Sequence, residues 1–311
     1  MAVKRVGLIA VLSSFFLALL GIPNSLPVTN AAWNNDEEVY AAELLRNGSL
    51  SVLSRFKSKG KIFHQPYTYL VVSEALEPSI YARLAKSFPS DTDILKLNGE
   101  TERRQNFRYD VQGRLLLDEQ NRNLVSPLWR AFTEYHTSRA FFDEVDSLLK
   151  KDIRAAHPGL KSKLNTGLRH NDSTADVLLD CQVAINTPVR ARSAVRGPHL
   201  DGPGELWAGL LYLRHEADQA STGGELQVLE CKAPKCSKMS RKDRLLYGTG
   251  DTHYRPSDVW VRNQVPYKAN SFALFVNSNK AIHGVTPRSV THFSRRIVNI
   301  VAVRQGVGKL G

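Results

Sequence analysis

The sequence predicts an α+β protein with a mainly β core, in which a sandwich or jelly roll of short strands is supported by helices on one side. In the first half of the chain apolar residues recur at helical spacing, whereas the second half consists of short β-type runs separated by turn residues. The predicted strands are Val177 to Ile185, Leu206 to Leu213, Glu225 to Leu229, Val259 to Val261, Ser271 to Val276 and Arg296 to Val303.

The pattern of apolar residues divides the chain after residue 32 into a lead segment and a main domain. Residues 33–60 are predicted to form a helical lead segment, and residues 61–311 the main domain. Within that domain, residues 61–175 supply a strand and helical support, with amphipathic helices predicted between Leu124 and Leu149. Residues 176–305 form the predicted jelly-roll core.

The first 32 residues have the order of a secretory signal. Lys4 and Arg5 precede an almost purely apolar run from Val6 to Ile22, which small and polar residues follow. The run is at the short end for a membrane span, so a cleaved signal peptide and an uncleaved signal-anchor both fit. We expect the chain to enter the secretory pathway, either in the endoplasmic reticulum or Golgi lumen or as a secreted protein.

Composition limits the classes of partner. The chain has 311 residues, is 42% hydrophobic and carries a formal net charge of +12. This length supports a substantial core, and the charge indicates either anionic partners or a solvated basic surface. No helix-turn-helix, zinc-finger or RNA-binding aromatic pattern is present in the sequence, so nucleic acid is not expected as a partner. The oligomeric state is not predicted.

A basic segment follows the predicted strand at Glu225 to Leu229. It extends from Cys231 to Lys242 and fits either a substrate lid or a solvated loop. Its two cysteines, Cys231 and Cys236, are close enough in sequence to form a disulfide, and Cys181 reads as a small apolar residue within a strand.

One pattern predicts a metal site. His199 and Asp201 are two residues apart in extended chain, so their side chains face the same way. A second imidazole, His283, follows the apolar strand from Phe272 to Val276. Two histidines and one carboxylate are the ligand set of the facial triad that binds iron(II) and leaves coordination positions open.

The His-x-Asp spacing is not distinctive alone, because His170 and Asp172 repeat it. His170 lies in a polar segment with no tight turn behind it, whereas His199 is followed by a strand and then by the turn at Gly223. We therefore predict His199, Asp201 and His283 as the metal ligands, and His170 as a surface residue.

Five motifs follow one another in this half of the chain. They are Pro198-His199-Leu200-Asp201, Leu211-Tyr212-Leu213-Arg214, Gly223-Gly224-Glu225-Leu226, His283-Gly284-Val285-Thr286-Pro287 and Ser294-Arg295-Arg296. Together they resemble the prolyl-4-hydroxylase-like branch of the iron(II)- and 2-oxoglutarate-dependent dioxygenase superfamily. The resemblance implies a double-stranded β-helix, iron(II), 2-oxoglutarate and dioxygen as co-substrates, and ascorbate as a further candidate cofactor.

In that family a basic residue on the strand after the second histidine pairs with the far carboxylate of 2-oxoglutarate. We predict Arg296 for this role, on the expectation that it shares an inward face with Val298 and Ile300. Arg295 is the alternative, because adjacent strand residues face opposite ways. Tyr212 matches a position where the family places a hydroxyl against 2-oxoglutarate, and it also fits a packed strand aromatic.

The resemblance implies an enzyme that hydroxylates a C–H bond and converts 2-oxoglutarate to succinate and carbon dioxide. A prolyl or lysyl side chain of a peptide or protein is the expected substrate, with small molecules as the alternative. Two other classes stay open: a non-catalytic jelly-roll module that binds metal, and a cupin-type dioxygenase that does not use 2-oxoglutarate. Succinate production separates them from the leading hypothesis.

Overall fold

The computed structural model of the protein describes residues 33–172, 174–233, 236 and 252–306. The predicted secretory signal over residues 1–32 and most of the basic segment after Cys231 lie outside these residues. In the part of the chain that is described, no helix is both long and apolar enough to cross a membrane.

The helices concentrate in the first half of the chain. They are α1 (Asn35–Arg46), α2 (Phe56–Lys59), α3 (Pro78–Lys86), α4 (Asp91–Leu97), α5 (Gly113–Leu117), α6 (Pro127–His136) and α7 (Arg139–Ala156). The two helices predicted between Leu124 and Leu149 are α6 and α7. Serine side chains cap both, since Ser126 accepts from the backbone N–H of Trp129 and Ser138 from that of Phe141.

The strands form two sheets. They are β1 (Gly60–Phe63), β2 (Tyr69–Ser73), β3 (Arg108–Val111), β4 (Thr166–Leu168), β5 (Val177–Asn186), β6 (His199–Leu200), β7 (Glu205–Tyr212), β8 (Leu226–Cys231), β9 (Thr252–His253), β10 (Val259–Val265), β11 (Ser271–Val276), β12 (His283–Val285) and β13 (Arg295–Arg304). The larger sheet has the order β1-β2-β11-β7-β13-β5-β3, with β4 beside β5, and the smaller has the order β10-β8-β12-β6-β9. Except for β4 with β5, neighbouring strands are antiparallel. The predicted jelly roll supported by helices is confirmed.

The larger sheet buries both of its faces. Val298 and Ile300 of β13 belong to the core that contains the helical residues Trp129 and Phe141. Ile297 and Val301, on the opposite face of β13, belong to a second core that the larger sheet shares with the smaller sheet. Alternate residues of β13 therefore face the helices or the space between the sheets.

His136 joins the lead segment to the helical layer. Its Nε2 accepts the backbone N–H of Val52 at 3.3 Å, and its Nδ1 lies 2.7 Å from the carbonyl oxygen of Phe132. These contacts require a neutral ring that carries its proton on Nδ1. Burial lowers the pKa of His136 from 6.5 to about 3.

Because only the unfolded state binds a proton at His136 between pH 6.5 and about 3, the free energy of unfolding should fall as the pH falls through this window. The loss attributable to this ring is at most about 1.4 kcal/mol per pH unit. His136→Gln keeps a side-chain acceptor for Val52 and does not titrate there, so urea unfolding should show a flatter pH dependence in the variant. Parallel curves would contradict this role for His136.

Candidate metal centre

The three predicted metal ligands lie together between the sheets. His199 of β6 stands directly opposite His283 of β12 in antiparallel register, and their ring centroids are 4.2 Å apart. Asp201 follows β6 and places Oδ1 3.5 Å from Nε2 of His199 and Oδ2 3.5 Å from Nε2 of His283. All three ligand atoms fall within 4.8 Å of one another. Among the described residues, this group has the donors and the spacing to hold one metal ion.

Backbone carbonyls orient both imidazoles. Nδ1 of His199 lies 2.8 Å from the carbonyl oxygen of Gly197, and Nδ1 of His283 lies 3.0 Å from that of Ala281. Each Nδ1 therefore holds the proton, and each Nε2 lone pair is directed at Asp201, as metal ligation requires. Nε2 of His199 is buried and has no hydrogen-bond partner in the described part of the chain.

The protonation states suit a metal. Burial, followed by the neighbouring His283, lowers the pKa of His199 to about 3, and burial also lowers the pKa of His283. Burial opposes ionisation of Asp201, but its charged surroundings, which include Arg196 at 3.9 Å from Oδ1, hold the pKa of its carboxyl below its usual range. Two neutral imidazoles and a carboxylate fit iron(II), with positions left for further ligands.

A second polar group lies on the same side of the larger sheet. Arg295 is buried at the start of β13, where Nε donates to the carbonyl oxygen of Gly224 at 2.9 Å and Nη1 to Oδ1 of Asn186 at 3.0 Å. Its guanidinium lies 5.2 Å from the ring centre of Tyr212 and 5.1 Å from that of Tyr267. Burial lowers the pKa of Arg295, since a charge in this position is costly without an anion.

Three buried atoms around this guanidinium lack hydrogen-bond partners among the described residues. They are Nη2 of Arg295, Nδ2 of Asn186 and the hydroxyl oxygen of Tyr212. Buried polar atoms are normally satisfied by protein, water or ligand. Since two of the atoms are donors and the third is a hydroxyl, their complement is an anionic acceptor.

The prediction that Arg296 faces inward is wrong. Arg296 does share a face with Val298 and Ile300, but that face packs on the helices. Its guanidinium lies 5.1 Å from the ring centre of Phe88. The inward position belongs to Arg295, the alternative.

The Gly-Gly motif shapes the backbone beside Arg295. Gly223 has φ +89°, and a Cβ there would lie 2.1 Å from the carbonyl oxygen of Pro287. Gly224 has φ +87° and presents the carbonyl oxygen that accepts from Arg295. Glycine is required at Gly223 both for this conformation and for the close approach of the chain after His283.

A cavity of about 90 Å³ adjoins the metal ligands. Leu210, Leu226 and Phe275 give it apolar surface, and Arg108, Arg196, Glu205 and Asn299 give it polar surface. Leu210, Leu226 and Phe275 belong to the same core as Tyr212 and Tyr267, the two tyrosines that contact the guanidinium of Arg295.

Several residues of this region were not singled out by the sequence. Asn186 ends β5, Tyr267 precedes β11, and neither belongs to a recognisable motif. Arg108 lies in a polar stretch whose pairing with β5 is a long-range contact. Cys231 and Cys236, in contrast, form the predicted disulfide, and Cys181 is buried as a free thiol.

No protein-family model and no curated protein matches the chain. Among solved structures, a prolyl-4-hydroxylase from Pseudomonas putida is similar at 14% identity and TM-score 0.41, over 82% of this chain and 98% of that one. A prolyl 4-hydroxylase from Phytophthora capsici is similar at 18% identity and TM-score 0.42, over 85% and 65%. A prolyl hydroxylase from Trichoplax adhaerens, in complex with a hypoxia inducible factor peptide, is similar at 14% identity and TM-score 0.39, over 86% and 94%.

Removing one ligand should abolish the metal site. We expect His283→Ala to weaken iron(II) binding by at least about 100-fold, because a facial triad reduced to two ligands loses both a donor and its geometry. Equilibrium dialysis under anaerobic conditions measures this. His170→Ala is the matched control, since it removes an exposed histidine with the same His-x-Asp spacing. Equal losses in the two variants would contradict the assignment.

Proposed function

We propose that the protein is an iron(II)- and 2-oxoglutarate-dependent dioxygenase that hydroxylates a C–H bond and converts 2-oxoglutarate to succinate. The observation that carries this proposal is the pairing of two sites in one interior. A His-Asp-His metal group lines a cavity between the sheets, and the buried guanidinium of Arg295, which has an unsatisfied Nη2, contacts two tyrosines of the core that surrounds this cavity.

The metal group and the Arg295 group match the two ends of 2-oxoglutarate. Its keto-acid end supplies two oxygens for open positions on a metal, and its second carboxylate is separated from them by a short methylene chain. A guanidinium pairs with a carboxylate through two parallel hydrogen bonds. Nη2 of Arg295, Nδ2 of Asn186 and the hydroxyl of Tyr212 would meet this carboxylate, which supplies the missing counter-charge.

Each residue of the metal centre has a definable task. His199, Asp201 and His283 would hold iron(II), which supplies the activation of dioxygen that couples decarboxylation to hydroxylation. The carbonyls of Gly197 and Ala281 keep both Nε2 atoms available by holding the protons on Nδ1. Asp201 also favours hydroxylation over halogenation, because a small residue in its place would leave a position for halide.

The apolar walls protect this chemistry. Phe275 packs on His283 with ring centroids 4.3 Å apart, and Leu210 and Leu226 line the cavity beside it. Such surfaces exclude water from the reacting groups and strengthen the electrostatic contacts of the site. The same walls accept an apolar part of a substrate.

The two alternative functions explain fewer features of the interior. A non-catalytic metal-binding module and a cupin-type dioxygenase without 2-oxoglutarate would both use the histidines. Neither gives a reason for the buried, incompletely bonded guanidinium of Arg295. The 2-oxoglutarate-dependent reaction uses both groups.

For the substrate, we extend the proposal to a prolyl or lysyl side chain of a peptide or protein. The motif series from Pro198 to Arg296 and the secretory character of residues 1–32 support it. The chain would then act in the secretory pathway, either after cleavage or as an anchored protein, with ascorbate maintaining iron(II). Small-molecule substrates are the alternative.

Adjacent arginines provide a matched test of the co-substrate site. We expect Arg295→Gln to raise the KM for 2-oxoglutarate by about 10- to 100-fold, the loss expected for a hydrogen-bonded charge pair. Arg296→Gln should change it less than about twofold, because Arg296 lies against Phe88 on the helical side of the sheet and not in the interior between the sheets. Succinate formation measured against 2-oxoglutarate concentration gives both values, and thermal unfolding checks that each variant is folded.

Two results would count against the proposal. Wild-type protein loaded with iron(II) that forms no succinate under any condition would overturn the reaction. A larger effect of Arg296→Gln than of Arg295→Gln would overturn the placement of the co-substrate.

A further inference from the structure

Arg108 lines the cavity beside the metal ligands but has no part in the reaction described above. It lies on β3, the edge strand of the larger sheet, where it stands opposite Asn186 of β5. Tyr109 and Val111 of the same strand pack in the core on the helical side. Arg108 and Asp110 therefore face the space between the sheets.

Asp110 fixes the orientation of this arginine. Nε of Arg108 lies 2.7 Å from Oδ1 and 3.0 Å from Oδ2 of Asp110, and Nη2 lies 2.6 Å from Oδ1. These contacts occupy the edge of the guanidinium formed by Nε and Nη2. Nη1 makes no hydrogen bond within the described ranges, so the Nη1–Nη2 edge is left for a ligand. With its side chain 19% exposed, Arg108 is held in place yet reachable from the cavity.

A second arginine lines the same cavity. The side chain of Arg196 is 26% exposed, and its Nη1 lies 3.9 Å from Oδ1 of Asp201. The carboxyl groups of Asp201 and Glu205 line the same cavity, and a bulge between β7 and β13 precedes the inward position of Glu205.

We propose that Arg108, oriented by Asp110 and flanked by Arg196, binds a carboxylate of the substrate that is hydroxylated. This inference rests on the proposed function and narrows its substrate class to acidic molecules. An oriented guanidinium edge matches a carboxylate through two hydrogen bonds. The formal net charge of +12 would also draw anionic substrates to the protein.

The carboxylate has two chemical sources. It belongs either to an acidic residue beside the hydroxylated residue of a peptide or to a free amino acid. Suitable probes are blocked pentapeptides with a central proline or lysine preceded by glutamate, by glutamine or by lysine, together with free proline and free lysine. Titration calorimetry under anaerobic conditions measures their binding, and succinate formation measures their turnover.

For the wild-type protein we expect acidic probes to bind at least about tenfold more tightly than their glutamine counterparts. Arg108→Gln should remove this preference, raising the KM for the acidic probe by about 10- to 100-fold while the KM for 2-oxoglutarate stays unchanged. Arg108→Glu should prefer the lysine-flanked peptide, a reversal that a merely structural role would not produce. Arg262→Gln, which removes an ion-paired arginine from the edge strand of the other sheet, should leave the preference intact.

A preference shown by the peptides assigns the carboxylate to a flanking residue. If the peptides show no preference but Arg108→Gln weakens binding of free proline or free lysine, the carboxylate is that of the free amino acid. Absence of both results overturns the inference, as does an Arg108→Gln variant that keeps the peptide preference or raises the KM for 2-oxoglutarate instead. Succinate formation without added substrate separates this failure from failure of the proposed function, since it tests the reaction with 2-oxoglutarate alone.

Discussion

The register between β6 and β12 is the constraint on which the site depends. It places His199 directly opposite His283, and Asp201 then reaches both rings because it continues the same extended chain. Since the side-chain period of a strand is two, a slip of one residue would turn an imidazole to the other face of the sheet. The short strands are held in this register by their neighbours, with β8 on one side and β9 on the other.

The same alternation determines which of the two adjacent arginines faces the interior. Arg295 faces between the sheets, and its neighbour Arg296 faces the helices. Gly223 permits a turn that approaches Pro287 closely, which brings the carbonyl of Gly224 to Arg295. The guanidinium of Arg295 can be buried there because the carbonyl oxygen of Gly224 and Oδ1 of Asn186 accept two of its hydrogen bonds. A ligand can accept the remaining ones.

The metal ligands could be predicted from the sequence because their signal is local. Two ligands come from one strand end at a fixed spacing, and the third follows a clearly apolar strand. The direction of Arg295 could not be predicted in this way. Strand β13 has apolar residues on both faces, including Ile297, Val298 and Ile300, so alternation carries no information about which face is inward.

Arg108 was missed for a different reason. Its polar surroundings in the sequence resemble a loop, and its place beside the metal ligands arises from the pairing of β3 with β5. Such long-range pairing leaves no periodic signal in one short strand. Helices α6 and α7, by contrast, have long apolar stripes and serine caps, and their positions followed from the sequence.

In the proposed function, one interior holds both iron(II) and 2-oxoglutarate. Anaerobic titration of the iron-loaded protein with 2-oxoglutarate tests this, because chelation of iron(II) by the keto acid gives a visible charge-transfer band. We expect this band in the wild-type protein and its loss in His199→Ala. A fully iron-loaded wild-type protein that binds 2-oxoglutarate without the band, or does not bind it, would show that iron(II) and 2-oxoglutarate do not share this interior.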